Sequence, residues 1–147
     1  MDFNENRLTG TIQLSTFWRL KNLVGLSLSN NLLSLIDDED GYLFSSLPHI
    51  QILGLASCNL TKLPGMLKYL NGIEFLDLSN NHIHGEVPSW LWENWNNGMI
   101  YLNLSHNMFI SLQKFPSLTP VAQPYILDLS SNLLEQLYQL KKEKMDQ

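Results

Sequence analysis

A single cysteine, Cys58, occurs in the 147 residues, so no intrachain disulfide can staple the fold and cysteine use says nothing of the redox compartment. No apolar run approaches the ~18 residues that a helical membrane crossing needs. The opening Met1-Asp2-Phe3-Asn4-Glu5-Asn6 is polar and lacks the apolar stretch of a secretory signal. Basic clusters are few and the net charge is -5, which leaves nucleic-acid binding without an electrostatic footing. No serine-nucleophile motif, phosphate loop or catalytic carboxylate pair stands out. His82 and His84 flank an inward Ile83, and with His106 they find no further ligand at a zinc-like spacing. The chain therefore reads as a non-enzyme with no catalytic residues, no cofactor and no metal.

What is abundant points elsewhere. Leucine is about a fifth of the chain and asparagine about a tenth, both above their usual share. The residues at 23–33 follow the pattern L-x-x-L-x-L-x-x-N-x-L. The same frame fits Ile50, Leu53, Leu55, Cys58 and Leu60, then Ile73, Leu76, Leu78, Asn81 and Ile83, then Met99, Leu102, Leu104, Asn107 and Phe109. A further copy holds Leu127, Leu129, Asn132 and Leu134, with Pro124 in the first apolar slot. Phe3, Asn6 and Leu8 read as a copy cut off mid-strand.

The asparagine slot falls at Asn6, Asn31, Cys58, Asn81, Asn107 and Asn132, with gaps of 25, 27, 23, 26 and 25 residues. That period is the leucine-rich repeat range. Each slot has a physical task. The x-L-x-L-x stretch is a short strand that sends leucines inward and the x residues to the opposite face. The asparagine amide satisfies turn groups that would otherwise be buried without partners. Cys58 stands in as a small buried thiol donor. The expected fold is an α/β solenoid, a right-handed leucine-rich repeat superhelix with a parallel sheet on its concave face. Irregular or short helical turns are expected outside. Repeats span 1–134, and 135–147 is a charged tail, either helical, since Leu137 and Leu140 continue from Leu133 at helical spacing, or a disordered end that frays.

Leu8-Thr9-Gly10-Thr11-Ile12 and Ile83-His84-Gly85-Glu86-Val87-Pro88 share L-x-G-x-I, and Leu63-Pro64 is a shortened form. Glycine suits a turn with positive φ, and proline opens the next convex element. The Trp90-Leu91-Trp92 run that follows is expected to pack on that convex side. These turns, with Leu-Asp-Leu-Ser-Asn-Asn at 76–81 and Leu-Asp-Leu-Ser-Ser-Asn at 127–132, resemble the plant-specific repeat class. The stretches 56–61 and 88–92 are similar to plant receptor-like proteins of the disease-resistance type. The resemblance covers residues 1 to about 135.

That resemblance implies a parent receptor on the extracellular side of the plasma membrane, with one membrane span and little cytoplasmic domain. It implies a pathogen-derived or developmental protein or peptide ligand and a co-receptor kinase. The chain departs from the family in lacking a signal peptide, a cysteine-bearing cap, a membrane span and the full repeat number. It reads as an interior piece of a receptor ectodomain, tied to a membrane only through other parts of the parent. The alternative is a freestanding repeat scaffold, such as an inhibitor of a pathogen enzyme.

Outward strand positions are where a ligand would sit, since stacked strands make an extended surface. One column runs Ser27, Gly54, Asp77, Asn103, Asp128, the next Ser29, Ala56, Ser79, Ser105, Ser130. A third, Gly25, Ile52, Phe75, Tyr101, Ile126, is an aromatic and aliphatic stripe. Glu74, Phe75, Asp77, Tyr101, Asn103, His106, Tyr125 and Asp128 form the candidate ligand patch, aromatic residues being enriched at binding hot spots. Sequons occur at Asn59 and Asn103, but chance alone gives about two at this composition, so they add nothing to the extracellular case.

Overall fold

A computed structural model describes residues 1–37, 47–96, 98–115 and 126–135. Its organising unit is a strand of three residues repeated five times: β2 (Gly25–Ser27), β4 (Ile52–Gly54), β5 (Phe75–Asp77), β7 (Tyr101–Asn103) and β9 (Ile126–Asp128). They form one parallel sheet in chain order. The register sets Leu26, Leu53, Leu76, Leu102 and Leu127 side by side. Strands this short hold because the ladder runs on past them. Leu28, Leu55, Leu78 and Leu104 each donate a backbone N–H to the next repeat at 2.8–2.9 Å.

Residues 1–5 add a rung at the other end. Phe3 N–H donates to Ser27 O at 2.9 Å, Ser27 N–H to Met1 O at 3.0 Å, and Glu5 N–H to Ser29 O at 3.0 Å. The copy that begins the chain thus stacks in register with the rest.

Alternation decides the core. Each strand leucine, with the residue two beyond the ladder slot, points between the sheet and the outer segments. Leu26, Leu28, Leu53, Leu55, Leu76, Leu78, Leu102 and Leu104 are buried, as are Leu33, Leu60, Ile83 and Phe109. Leu127, Leu129 and Leu134 of the last rung are only partly buried, having a described repeat on one side alone.

The outer side carries the short helical turns that the pattern predicts and, beside them, strands that it does not predict. Two further parallel pairs form there: β1 (Thr9–Gln13) with β3 (Leu32–Ile36), and β6 (His84–Val87) with β8 (Met108–Leu112). In each pair the first strand bends at a glycine and the second has none. Gly10 and Gly85 have φ of 107° and 92°, a bend that side chains resist, and it lets the chain run on as a strand after the turn. At Gly85/Glu86 the register slips by one residue and leaves Ile110 unmatched, as at a glycine bulge. The repeat holding Cys58 has the shortened Leu63-Pro64 form. A 3-10 turn, Gly65–Tyr69, follows, and this repeat lies between the two small sheets.

Helices α1 (Ser15–Trp18) and α2 (Ser89–Asn96) close the outer layer with that 3-10 turn. Phe17, Trp18, Met66, Leu67, Leu91 and Trp92 are buried beneath them, and Trp90 is partly so. Trp92 donates its indole N–H to Gln113 O at 2.9 Å and meets the Phe115 ring edge-on at 4.9 Å. The tryptophan run is packing. The charged tail from 136 onward, expected as helical or disordered, lies outside the described residues.

Burial sets the expected cost of truncation. Leu78→Ala, at the centre of the stack, should lose about 2–5 kcal/mol in a denaturant melt because the cavity has neighbours on both sides. Leu129→Ala should lose clearly less, since its site is already half open. Equal losses would contradict the placement of both residues.

Candidate functional site

The turn after each strand carries the asparagines. Asn81 donates Nδ2–H to Leu78 O and Ser79 O of its own turn at 2.9 and 3.2 Å, and to Leu55 O of the preceding repeat at 2.9 Å. Its Oδ1 accepts the N–H groups of Cys58 and Leu60 at 2.9 and 3.0 Å. Asn107 repeats the pattern with Leu104 O, Ser105 O, Leu78 O and Ile83 N–H. Asn132 does so with Leu129 O, Ser130 O, Leu104 O and Phe109 N–H. Asn31 contacts Leu28 O, Ser29 O, Phe3 O and Leu8 N–H in the same way. Asn6 makes only the local part, to Phe3 O and Asn4 O, and is exposed.

Cys58 sits in this series as a donor. Its thiol reaches Leu28 O of the preceding repeat at 3.6 Å and Ala56 O at 3.4 Å. A thiol has no carbonyl with which to receive two N–H groups as Asn81 does. Burial pushes the thiol from its ordinary 9.0 up to about 12, so it stays protonated and inert at neutral pH.

Two features of the turn have weaker signals in the sequence. Asn30, Ser57, Asn80, His106 and Ser131, each just before the ladder residue, have φ of 53–57°. Only the frequent asparagine hints at this left-handed position. The serine column is also corrected. Four of its five members do not face outward: Ser29, Ala56, Ser79 and Ser105 are buried, Ser29 Oγ accepts the N–H of Ala56 at 2.9 Å, and Ser130 of the last described rung is exposed. The turn begins there and swings this position between repeats.

The open face of the sheet holds most of the candidate ligand patch. The rings of Phe75 and Tyr101 stack at 4.2 Å and 6°, as register neighbours on β5 and β7. Ile52 and Ile126 flank them on β4 and β9 and are 51% and 56% exposed. One step along, Asp77, Asn103 and Asp128 are adjacent. Each turns one Oδ1 to the N–H two residues on, of Ser79, Ser105 and Ser130, at 2.9 Å. Asn103 also donates Nδ2–H to Tyr101 Oη at 3.2 Å. Asp128 takes a second bond from Ser130 Oγ at 2.6 Å. That hydroxyl, then the backbone N–H, and least of all the nearby His106, hold its carboxyl below the usual range. Glu74 and His106 are exposed at the two margins. Tyr125 lies outside the described residues.

The remaining sequence candidates scatter. His82 and His84 are exposed on either side of buried Ile83, and no metal-holding cluster occurs among the described residues. Asn59 is exposed at φ 55° with Nδ2 donating to Ser34 Oγ at 3.1 Å. Glu86 on the outer side accepts from Gln113 Nε2 and Ser111 Oγ at 2.6 and 2.9 Å, and these bonds, Gln113 first, lower its carboxyl. No helix among the described residues is long and apolar enough to cross a membrane.

Comparison with known proteins agrees with the repeat. The Leucine Rich Repeat family matches residues 72–94. Receptor-like protein 54 of Arabidopsis thaliana is 40% identical over 116 residues, covering 79% of this chain and 14% of its own length. Receptor-like protein 35 of the same plant is 38% identical over 112 residues, covering 74% of the chain and 12% of its own length. Receptor-like protein 6, also from that plant, is 33% identical over 177 residues, 91% of the chain and 18% of its own length. The chain thus spans less than a fifth of these relatives. No solved structure matches it.

Two outcomes follow from the turn chemistry. Asp77→Asn should leave stability within about 0.5 kcal/mol, since Asn103 makes the same bond, whereas Asp77→Ala should lose about 1 kcal/mol in a melt. For Cys58 the folded thiol titrates above its unfolded value, so stability is full below pH 9 and falls as pH climbs toward about 12. Melts across that interval should show a steeper fall for the native chain than for Cys58→Ala, and parallel curves would refute the buried thiol.

Proposed function

We propose, since this chain belongs to the leucine-rich repeat receptor-like proteins of plants, that it is a protein- or peptide-recognition segment whose ligand lies on the open face of the strand ladder. The observation that carries the reading is the stack of exposed Phe75 on half-buried Tyr101, with exposed Ile52 and Ile126 beside it. Stacked strands give an extended platform, and aromatic pairs of this kind anchor interfaces. Glu74, Asp77, Asn103, His106, Tyr125 and Asp128 complete the contact set. Asn6, Asn31, Cys58, Asn81, Asn107 and Asn132 serve as its structural support.

In the parent, residues 1–134 form part of a right-handed superhelix with this face concave, and 135–147 is a separate tail. The parent is a receptor outside the plasma membrane that senses a defence-related or developmental ligand and signals through a co-receptor kinase. Recognition, not catalysis, is its task. Asn59 is the more suitable of the two sequon asparagines for a glycan, being at an exposed turn. A glycan on Asn103 would stand in the middle of the ligand face, so the two uses of that residue exclude each other.

Phe75→Ala with Tyr101→Ala should weaken binding of an identified ligand by 100-fold or so, about 1–2 kcal/mol per ring, with the melting transition retained. Unchanged affinity in a folded double variant would place the ligand elsewhere.

A further inference from the structure

We infer that the open strand face takes a cationic peptide bearing aromatic or large apolar side chains. This rests on the reading of that face as the ligand site, and gives its ligand a chemical class.

The first ground is the sign of the charge. Among the described residues, the outward positions of the six rungs carry Asp2, Glu5, Glu74, Asp77 and Asp128 and neither lysine nor arginine. Arg7, Arg19, Lys21, Lys62, Lys68 and Lys114 all lie outside those positions. His106 is the one basic side chain there.

The second ground is that the fold does not need these charges. Asn103 supplies its turn with the same Oδ1 bond, at the same 2.9 Å, as Asp77 and Asp128 supply to theirs. An acceptor is required; a carboxylate is not. Each aspartate also keeps its other oxygen without a partner among the described residues, turned to no structural use.

The third ground is spacing. The apolar column Ile52, Phe75, Tyr101 and Ile126 occupies four neighbouring rungs, about 14 Å at the usual inter-strand distance, which four or five residues of extended peptide would cover. The Asp77, Asn103, Asp128 column runs beside it, two residues along each strand, about 6.6 Å away. A peptide crossing the strands can therefore set apolar side chains on one column and basic ones toward the other. Lysine or arginine could also lie over the Tyr101 ring.

The test uses the full chain and three synthetic octapeptides in calorimetric titration: alternating lysine and phenylalanine, alternating glutamate and phenylalanine, and alternating lysine and alanine. The lysine–phenylalanine peptide should bind about tenfold or more tightly than either other, and salt should weaken it. Asp77→Asn with Asp128→Asn, which keeps both turn bonds, should cost that peptide about three- to tenfold and narrow the gap to the glutamate peptide. Equal binding of the two phenylalanine peptides, lost in Phe75→Ala with Tyr101→Ala, would overturn the charge class and leave the face reading standing. Lysine–phenylalanine binding that survives the aromatic double variant would sink both. Binding of none of the three overturns the inference.

Discussion

The asparagine amide that spans two repeats is the interaction on which the rest depends. A chain that turns sharply after a three-residue strand buries carbonyl and N–H groups that neither water nor a neighbouring strand can reach. Asn81 and Asn107 meet that need with Nδ2–H to three carbonyls and Oδ1 toward the preceding repeat. One side chain thus closes its own turn and ties it to the repeat before. Burial of the flanking leucines then holds the stack together, with no disulfide to help.

From that constraint the open face follows. Because the leucines must alternate inward, every second strand residue is released from packing duty, and its identity is limited only by cross-strand fit and turn chemistry. Stacking of Phe75 on Tyr101 exploits the parallel register, which sets identical positions of neighbouring repeats side by side. The aspartate column shows a structural task and spare chemical capacity in one residue: an acceptor oxygen turned to the backbone, a charge turned to solvent. The outer face has different rules. There each of two short sheets pairs a strand bent at a positive-φ glycine with a glycine-free one, and the Leu63-Pro64 repeat has a 3-10 turn in their place.

Periodicity made much of this legible from residues alone. The leucine slots at 26, 28, 53, 55, 76, 78, 102 and 104 and the ladder slots from 31 to 132 could be placed because each repeats with its chemistry unchanged. Less visible were features shared by dissimilar side chains. His106 and Ser57 occupy the same left-handed position as Asn30 and Asn80, so no single residue type announces it. The burial of Ser29, Ser79 and Ser105 was hidden for a related reason: a polar residue following a strand reads as outward unless the direction of the turn is known.

By itself the sequence determined the repeat, its period, the inward leucines, the parallel pairing of its strands and the family to which they point. Those are properties of one repeat copied along a chain, and hydrophobic alternation with a buried amide leaves little choice about them. Only the tertiary structure decided what adjacent copies do to each other. It brought two rings to 4.2 Å, turned serines between layers, and paired outer segments where glycine let the backbone bend. Those outcomes depend on register between residues some 25 positions apart, a distance set by the stacking of repeats and not by any local pattern.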